Sequence, residues 1–404
     1  MTEPRSQTRS FAGRWLPRLG MLAVFLTAME LAARMDDYIH QGVSLGANPD
    51  SDYDLLQRES WGYRGRSGGR FQKWKLNAFG FRGSEISPVP EPGTTRLLIL
   101  GASETFGLTE SPGSEYPMQL QQILERSGRY EVINGGTAGM SLKTMLDYWE
   151  NWASRFQPHV VLIYPTPIFY LRDEPPSPPP ATASPDDAER QPGFHFRIAD
   201  RAAGAYRALP ISVRNIRRQR IIERELAGRD PAWFFAEPPA DRLRMFGDDA
   251  GALVRAIRRR GAVPVVITYA MSATSPPRPE DRVDLSSMRY DFLRASPEII
   301  AAFEVRGNEA LREVASLEAV PLIDAARELS GRHELFGDLV HFNDAGAAQM
   351  ARLLADAILQ RPVPGVSPPQ HGTSPVVGGM QAPPPRADGG SPPRTGTAPS
   401  SVIE

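Results

Sequence analysis

From Arg96 to about residue 360 the chain alternates short, continuous apolar runs with segments at helical spacing, and that alternation constrains the fold more than any other feature. The strand-like runs are RLLILG (96–101), EVIN (131–134), HVVLIYP (159–165), VPVVITYA (263–270) and VPLID (320–324). They are largely apolar throughout rather than at every second position, as strands covered on both faces are. Between them Leu243, Phe246, Ala250, Leu253, Val254 and Ile257 recur every three or four residues, as do Met350, Leu353, Leu354 and Ile358. Buried strands alternating with amphipathic helices predict an α/β fold, a three-layer α/β/α sandwich around a parallel sheet spanning residues 96–360. At 404 residues and 41% hydrophobic, the chain can fill such a core and still carry further segments.

Those segments flank and interrupt the alternation. Residues 19–33 are apolar except for Glu30, with Arg5, Arg9, Arg14 and Arg18 before them against the single acid Glu3. This asymmetry predicts a cytoplasmic N-terminus and an outward-facing remainder. Extended by Trp15, Leu16 and snorkelling Arg18 and Arg34, residues 15–34 reach the roughly 17–25 residues of a bilayer span. A cleaved signal peptide shares the pattern, but residues 29–33 offer a poor small-x-small site, which favours an uncleaved anchor in a first segment, 1–34. Residues 35–95 form a juxtamembrane segment with one strand-like piece around Arg70–Leu76. An insertion, 172–240, opens on PPSPPP (175–180), and residues 201–229 hold eight arginines against Glu223 and Glu225. The plain reading is a solvated helix face; the others are a membrane-surface contact or a cradle for an anionic substrate. The tail 361–404, with 18 of 44 residues Pro or Gly, is expected to be disordered. A net charge of −1 gives no pull toward nucleic acid, and the absence of cysteine excludes disulfides, thiolate metal sites and a thiol nucleophile.

Two motifs carry chemistry. Gly101-Ala102-Ser103-Glu104-Thr105-Phe106-Gly107 places a serine just past a strand, in the crevice where open α/β sheets bind ligands. The stretch lacks the phosphate-binding glycine patterns and the second glycine of a GxSxG elbow, where Thr105 stands. Asp338-Leu339-Val340-His341 precedes the last helix, with Asn343 as a candidate N-cap. An acid three residues before a histidine on a tight loop can hold Nδ1–H and leave Nε2 outward, as a serine nucleophile requires. Asp37-Tyr38-Ile39-His40 matches the same pattern by accident of sequence. His159, His195, His333 and His371 read as surface or loop residues.

The G-x-S after the first strand, the glycine turn Asn134–Gly139 after the second and the D-x-x-H before the final helix resemble the SGNH (GDSL-like) hydrolase superfamily, with its flavodoxin-like sheet, over residues 96–360. Asn77-Ala78-Phe79-Gly80-Phe81-Arg82-Gly83 resembles a stretch of its membrane-tethered bacterial members. The resemblance implies Ser103 as nucleophile, His341 as base, Asp338 as orienting acid, and the N–H groups of Ser103 and Gly139 as oxyanion donors. The family's third block, G-x-N-D, reads Tyr164-Pro165-Thr166-Pro167 here. Thr166 is a candidate replacement hydroxyl donor, beside the plainer reading of a proline-restrained loop residue. The implied activity is a serine esterase or deacetylase acting on acyl, above all acetyl, esters. The implied substrate is a small ester or an acylated cell-surface or exported glycan, with no metal or organic cofactor and no nucleic-acid partner. The implied place is the bacterial inner membrane, single-pass, with the catalytic domain in the periplasm. A polysaccharide O-acyltransferase using the same triad and a catalytically silent glycan-binding or assembly protein stand as alternatives.

Overall fold

The computed structural model describes residues 11–41, 45–46, 55–71, 73–173, 196–199, 201 and 211–360. The chain divides into two units, Met1–Gln370 and His371–Glu404, and every described residue belongs to the first. The tail 361–404 and, within the insertion 172–240, residues 174–195, 200 and 202–210, including its proline-rich patch, lie outside the described residues.

Helix α1 (Phe11–Gln41) contains a 21-residue stretch, Leu16–Asp36, long and apolar enough to cross a membrane. Glu30, the one charge in the apolar run, is not left alone. Arg34 Nε lies 2.8 Å from its carboxylate, and the main-chain N–H groups of Arg197 and Ile198 donate to it at 3.0 and 3.1 Å. Pairing of this kind is what an apolar surrounding demands of a carboxylate.

Two small hairpins follow, β1 (Leu56–Glu59) with β2 (Gly62–Gly65) and β3 (Arg70–Phe71) with β4 (Trp74–Lys75). The single strand expected around Arg70–Leu76 is thus a reversal between two short strands, with Leu76 N donating to Gly69 O at 2.8 Å as the next rung and the Leu76 side chain buried.

The main sheet contains β5 (Thr95–Gly101), β6 (Tyr130–Asn134), β7 (Val160–Tyr164), β8 (Val263–Ile267) and β9 (Leu322–Ile323), parallel throughout, in the order β6-β5-β7-β8-β9. Every residue of β5 is buried, so each of its apolar side chains contributes about 1.5–3 kcal/mol of burial. Leu97 and Ile99 point to the face covered by α3 (Tyr116–Leu124) and the C-terminal helix, where Leu120, Leu124, Met350 and Leu354 join them. Leu98 and Leu100 point to the opposite face, with Met145 and Trp149 of α4 (Leu142–Asn151) and Phe246 and Leu253 from a later helix. Later in chain order come α5 (Ile211–Leu226), α6 (Ala240–Arg259), α7 (Asp281–Met288), α8 (Pro297–Leu317), α9 (Ala325–Leu329) and α10 (Asp344–Gln360), and α2 is the single turn Ser103–Phe106. These layers form the three-layer α/β/α sandwich with a parallel sheet. Strand β8 stops at Ile267, short of the expected Ala270, because Asn308 on α8 takes over the ladder. Its Oδ1 accepts from Tyr269 N at 2.7 Å and its Nδ2 donates to Tyr269 O at 2.9 Å.

The chain leaves β5 for β6 on one side and then crosses back past it to β7 on the other, so the winding reverses between β5 and β7. A crevice opens at the carboxyl ends of strands at such a switch point, and Ser103 stands there.

Candidate active site

The sharp turn from β5 into α2 depends on Gly101. A Cβ there would lie 1.9 Å from Thr105 Oγ1 and 3.1 Å from Tyr164 O, so no side chain fits while the serine follows two residues on. Gly136 serves the same turn from the β6 side, where a Cβ would meet Phe106 N at 2.5 Å. Thr137 N donates to Gly101 O at 3.1 Å, and Asn134 Nδ2 donates to Thr105 O at 3.0 Å. The loop after β6 is therefore fastened to the serine's helix, and it carries Gly139 at φ +78°, a conformation that suits glycine.

The D-x-x-H loop is built by its own acid. Asp338 Oδ1 accepts from the N–H groups of Val340 and His341 at 3.0 and 2.8 Å. His341 Nδ1 lies 2.8 Å from Asp338 Oδ2. Asn343 caps α10 by accepting from Gly346 N at 3.0 Å, and its amide also donates to Glu334 O at 2.9 Å. From this brace His341 Nε2 reaches Ser103 Oγ at 2.9 Å, across 238 residues of sequence. Hydroxyl, imidazole and carboxylate stand in line, the arrangement of a nucleophile, its base and an orienting acid.

Electrostatics follow from the partners. Burial favours the neutral ring of His341, but the hydrogen bond and charge of Asp338, aided by Glu104 and Glu110, outweigh it and push the imidazole up to about 9. Burial works against ionised Asp338, yet its bonds to His341 and to two main-chain N–H groups hold the carboxyl below its usual range.

Among the oxyanion candidates, neither Ser103 N–H nor Gly139 N–H has a main-chain partner among the described residues. Thr166 is 3% exposed, and its Oγ1 is buried without a hydrogen-bond partner among them. A buried hydroxyl left so costs about 1–3 kcal/mol. Because Gly101 and Tyr164 are paired across β5 and β7, Ser103 and Thr166 each lie two residues past the ends of adjacent strands.

Several neighbours carry no signal that short motifs reveal. Arg82, quoted only as part of a motif, is 6% exposed and donates to Phe106 O at 2.7 Å and to Gly107 O, closing the far end of the serine's helix. It also forms an ion pair with Glu115 at 3.0 Å. Asn77 holds that motif's loop, accepting from the N–H groups of Phe79 and Phe81 at 2.9 and 3.0 Å. Glu110 is 1% exposed, and burial pushes its carboxyl up to about 7. Its loop is tied to that of His341, since Thr109 Oγ1 donates to Phe342 O at 2.5 Å. Behind the serine, Tyr269 Oη donates to buried Glu104, and burial together with the Glu104 charge drives Glu304 well above the usual carboxyl range.

The other histidines divide. His159, read as a surface or loop residue, stands in the loop just before β7, half-buried, and accepts from Arg96 N at 3.0 Å through Nδ1. His333 Nε2 lies 2.7 Å from Asp281, whose carboxyl main-chain and hydroxyl donors hold at about 2. His195 and His371 lie outside the described residues, as do the side chains of Asp37 and His40. No group of three or more His, Cys, Asp or Glu suited to a metal occurs among the described residues.

No family model matches the chain, and no curated protein matches it. Among solved structures 58 chains match. One is a lipase/acylhydrolase from Enterococcus faecalis, at 14% identity and TM-score 0.41, over 69% of this chain and 100% of that one. An acetylxylan esterase from Geobacillus stearothermophilus matches at 13% identity and TM-score 0.38, over 65% and 94%. A GDSL-like lipase from Bacteroides thetaiotaomicron matches at 11% identity and TM-score 0.35, over 67% and 91%. The chain is similar to these GDSL-like and acetylxylan esterase structures.

Proposed function

We propose that the chain is a serine ester hydrolase of the SGNH type, acting on acyl, above all acetyl, esters. The observation that carries the reading is the continuous hydrogen-bonded line Asp338–His341–Ser103, with separations of 2.8 and 2.9 Å, at the switch point of a parallel sheet. Reach of about 2.6–3.2 Å is what proton transfer between nucleophile and base needs.

In the reaction His341 Nε2 accepts the Ser103 proton as Oγ attacks the acyl carbonyl carbon. Negative charge passes to the carbonyl oxygen, where the N–H groups of Ser103 and Gly139 donate to it, with Thr166 Oγ1 as a third donor. Its buried, unpartnered hydroxyl supports that role. The C–O bond to the alcohol then breaks, His341 Nε2–H protonates the departing oxygen, and an acyl-Ser103 ester remains. Water attacks that ester, giving its proton to His341, and the acid leaves as Ser103 recovers its hydrogen. Asp338 stays ionised throughout, orienting the ring and stabilising the imidazolium.

An acylated glycan is the substrate this reading favours. The apolar stretch of α1 and the arginines before it support a single-pass anchor in the bacterial inner membrane with the sheet domain in the periplasm. Labelling with a fluorophosphonate probe tests the chemistry: wild type should be labelled, and Ser103→Ala and His341→Ala should not. Equal labelling of wild type and Ser103→Ala would end the reading, and no labelling of wild type would favour a silent glycan-binding protein.

A further inference from the structure

A concavity stands where the loops after β6 and β7 run into the helices that follow them. About 730 Å³ in volume, it falls within the roughly 300–1,000 Å³ of small-ligand sites. Its walls are the β1–β2 hairpin, the first turns of α4, the 3₁₀ helix Pro167–Leu171 with the two residues after it, and the N-terminal half of α6. Helix α4 begins three residues past Gly139, and the 3₁₀ helix begins immediately after Thr166. Helix α6 runs back toward the start of β8, so its N-terminal half stands at the carboxyl end of the sheet. The cavity therefore opens where the two oxyanion loops end.

Its chemistry is specific. Among the described residues four cationic side chains line it against five acidic ones, so it presents no field of one sign to a polyanion. Trp61, at the hairpin turn, offers a partly exposed ring, the Arg172 guanidinium lies 5.0 Å from the centre of the Phe169 ring, and Met245 is 57% exposed beside them. Flat apolar faces next to polar groups suit a ligand that is itself apolar on one face and hydroxylated at its edge. The polar groups are already fixed: Tyr170 Oη donates to Asp249 at 2.5 Å, and Arg242 is held by Arg172 O at 2.7 Å and Asp173 at 3.0 Å. Binding a hydroxyl there costs little side-chain ordering.

We propose that this cleft binds a neutral oligosaccharide and presents its ester to Ser103, a proposal that rests on the ester-hydrolase reading for the ester and not for the sugar. The test measures binding without turnover. Ser103→Ala protein, with its full chain in detergent, is titrated by calorimetry with O-acetylated cellotetraose and separately with tetragalacturonate. Saturable binding of the neutral sugar is expected, weakened about tenfold or more by adding Trp61→Ala and likewise by adding Asp241→Asn, which alters an exposed acid of the lining on the first turn of α6, with tetragalacturonate binding no tighter. Thermal melts identify any variant that fails to fold, and the other substitution then decides. No binding of the neutral sugar, or binding indifferent to the folded variants, overturns the proposal, as does tighter binding of tetragalacturonate. Sugar binding by a protein that the fluorophosphonate does not label would sink the esterase reading and leave the cleft standing. Labelling without sugar binding would do the reverse.

Discussion

Replacing Asp338 by Asn removes the negative charge that sets the behaviour of His341 while keeping nearly the same shape. The imidazole lies at about 9 against an ordinary 6.5, a difference worth about 3 kcal/mol in favour of the protonated ring. Only the neutral ring can accept the serine proton, so kcat/KM for 4-nitrophenyl acetate should rise with pH in the wild type, half-maximal near about 9. In Asp338→Asn the main source of the upward shift is gone, and burial, which favours the neutral ring, remains. The midpoint should therefore fall well below 9, toward 6.5, held up only by Glu104 and Glu110. The plateau should drop on the order of 10⁴-fold, because an amide opposite Nδ1 favours the wrong tautomer. Direct NMR titration of the His341 ring in Ser103→Ala separates the two effects. The same raised value makes ring protonation stabilise the fold, in full below about 6.5 and lost as pH rises through about 9. A midpoint that stayed near 9 in Asp338→Asn would refute the reasoning, since the titrating group would not be His341 under the influence of Asp338.

Thr166→Val should lower kcat on the order of 10²-fold with KM about level, the mark of a donor used in the transition state; an unchanged kcat removes Thr166 from the oxyanion site. Arg82→Met leaves Glu115, with a side chain 4% exposed, without its partner, and should cost about 3–5 kcal/mol in denaturant unfolding. The double variant Arg82→Met/Glu115→Met should recover part of that loss, and an undiminished loss would show that the main-chain bonds of Arg82 matter more than the ion pair. Gly136→Ala forces a Cβ to within 2.5 Å of Phe106 N, so it should displace the serine's helix and reduce fluorophosphonate labelling at least tenfold, whereas full labelling would show that the loop yields.

The sequence by itself determined the features that depend on neighbours along the chain. Continuous apolar runs mark strands covered on both faces, and three-to-four spacing marks their helices. The D-x-x-H brace is equally local, since Asp338 binds the N–H groups of the residues that follow it. The glycines at 101 and 136 stand in the sequence, but the reason for each is a contact across the fold. Only the tertiary structure decided that Ser103 meets His341, because that contact spans 238 residues and depends on the order β6-β5-β7. It likewise decided that Arg82 closes the serine's helix, that His159 bonds a neighbouring strand and that Glu110 is buried beside the histidine loop. A lone Arg, His or Glu carries no pattern, and its role comes from the groups that packing brings around it. The cleft beside the loops after β6 and β7 belongs to the same kind, for its four walls come from segments that share no motif and meet only because the sheet gathers them at one end.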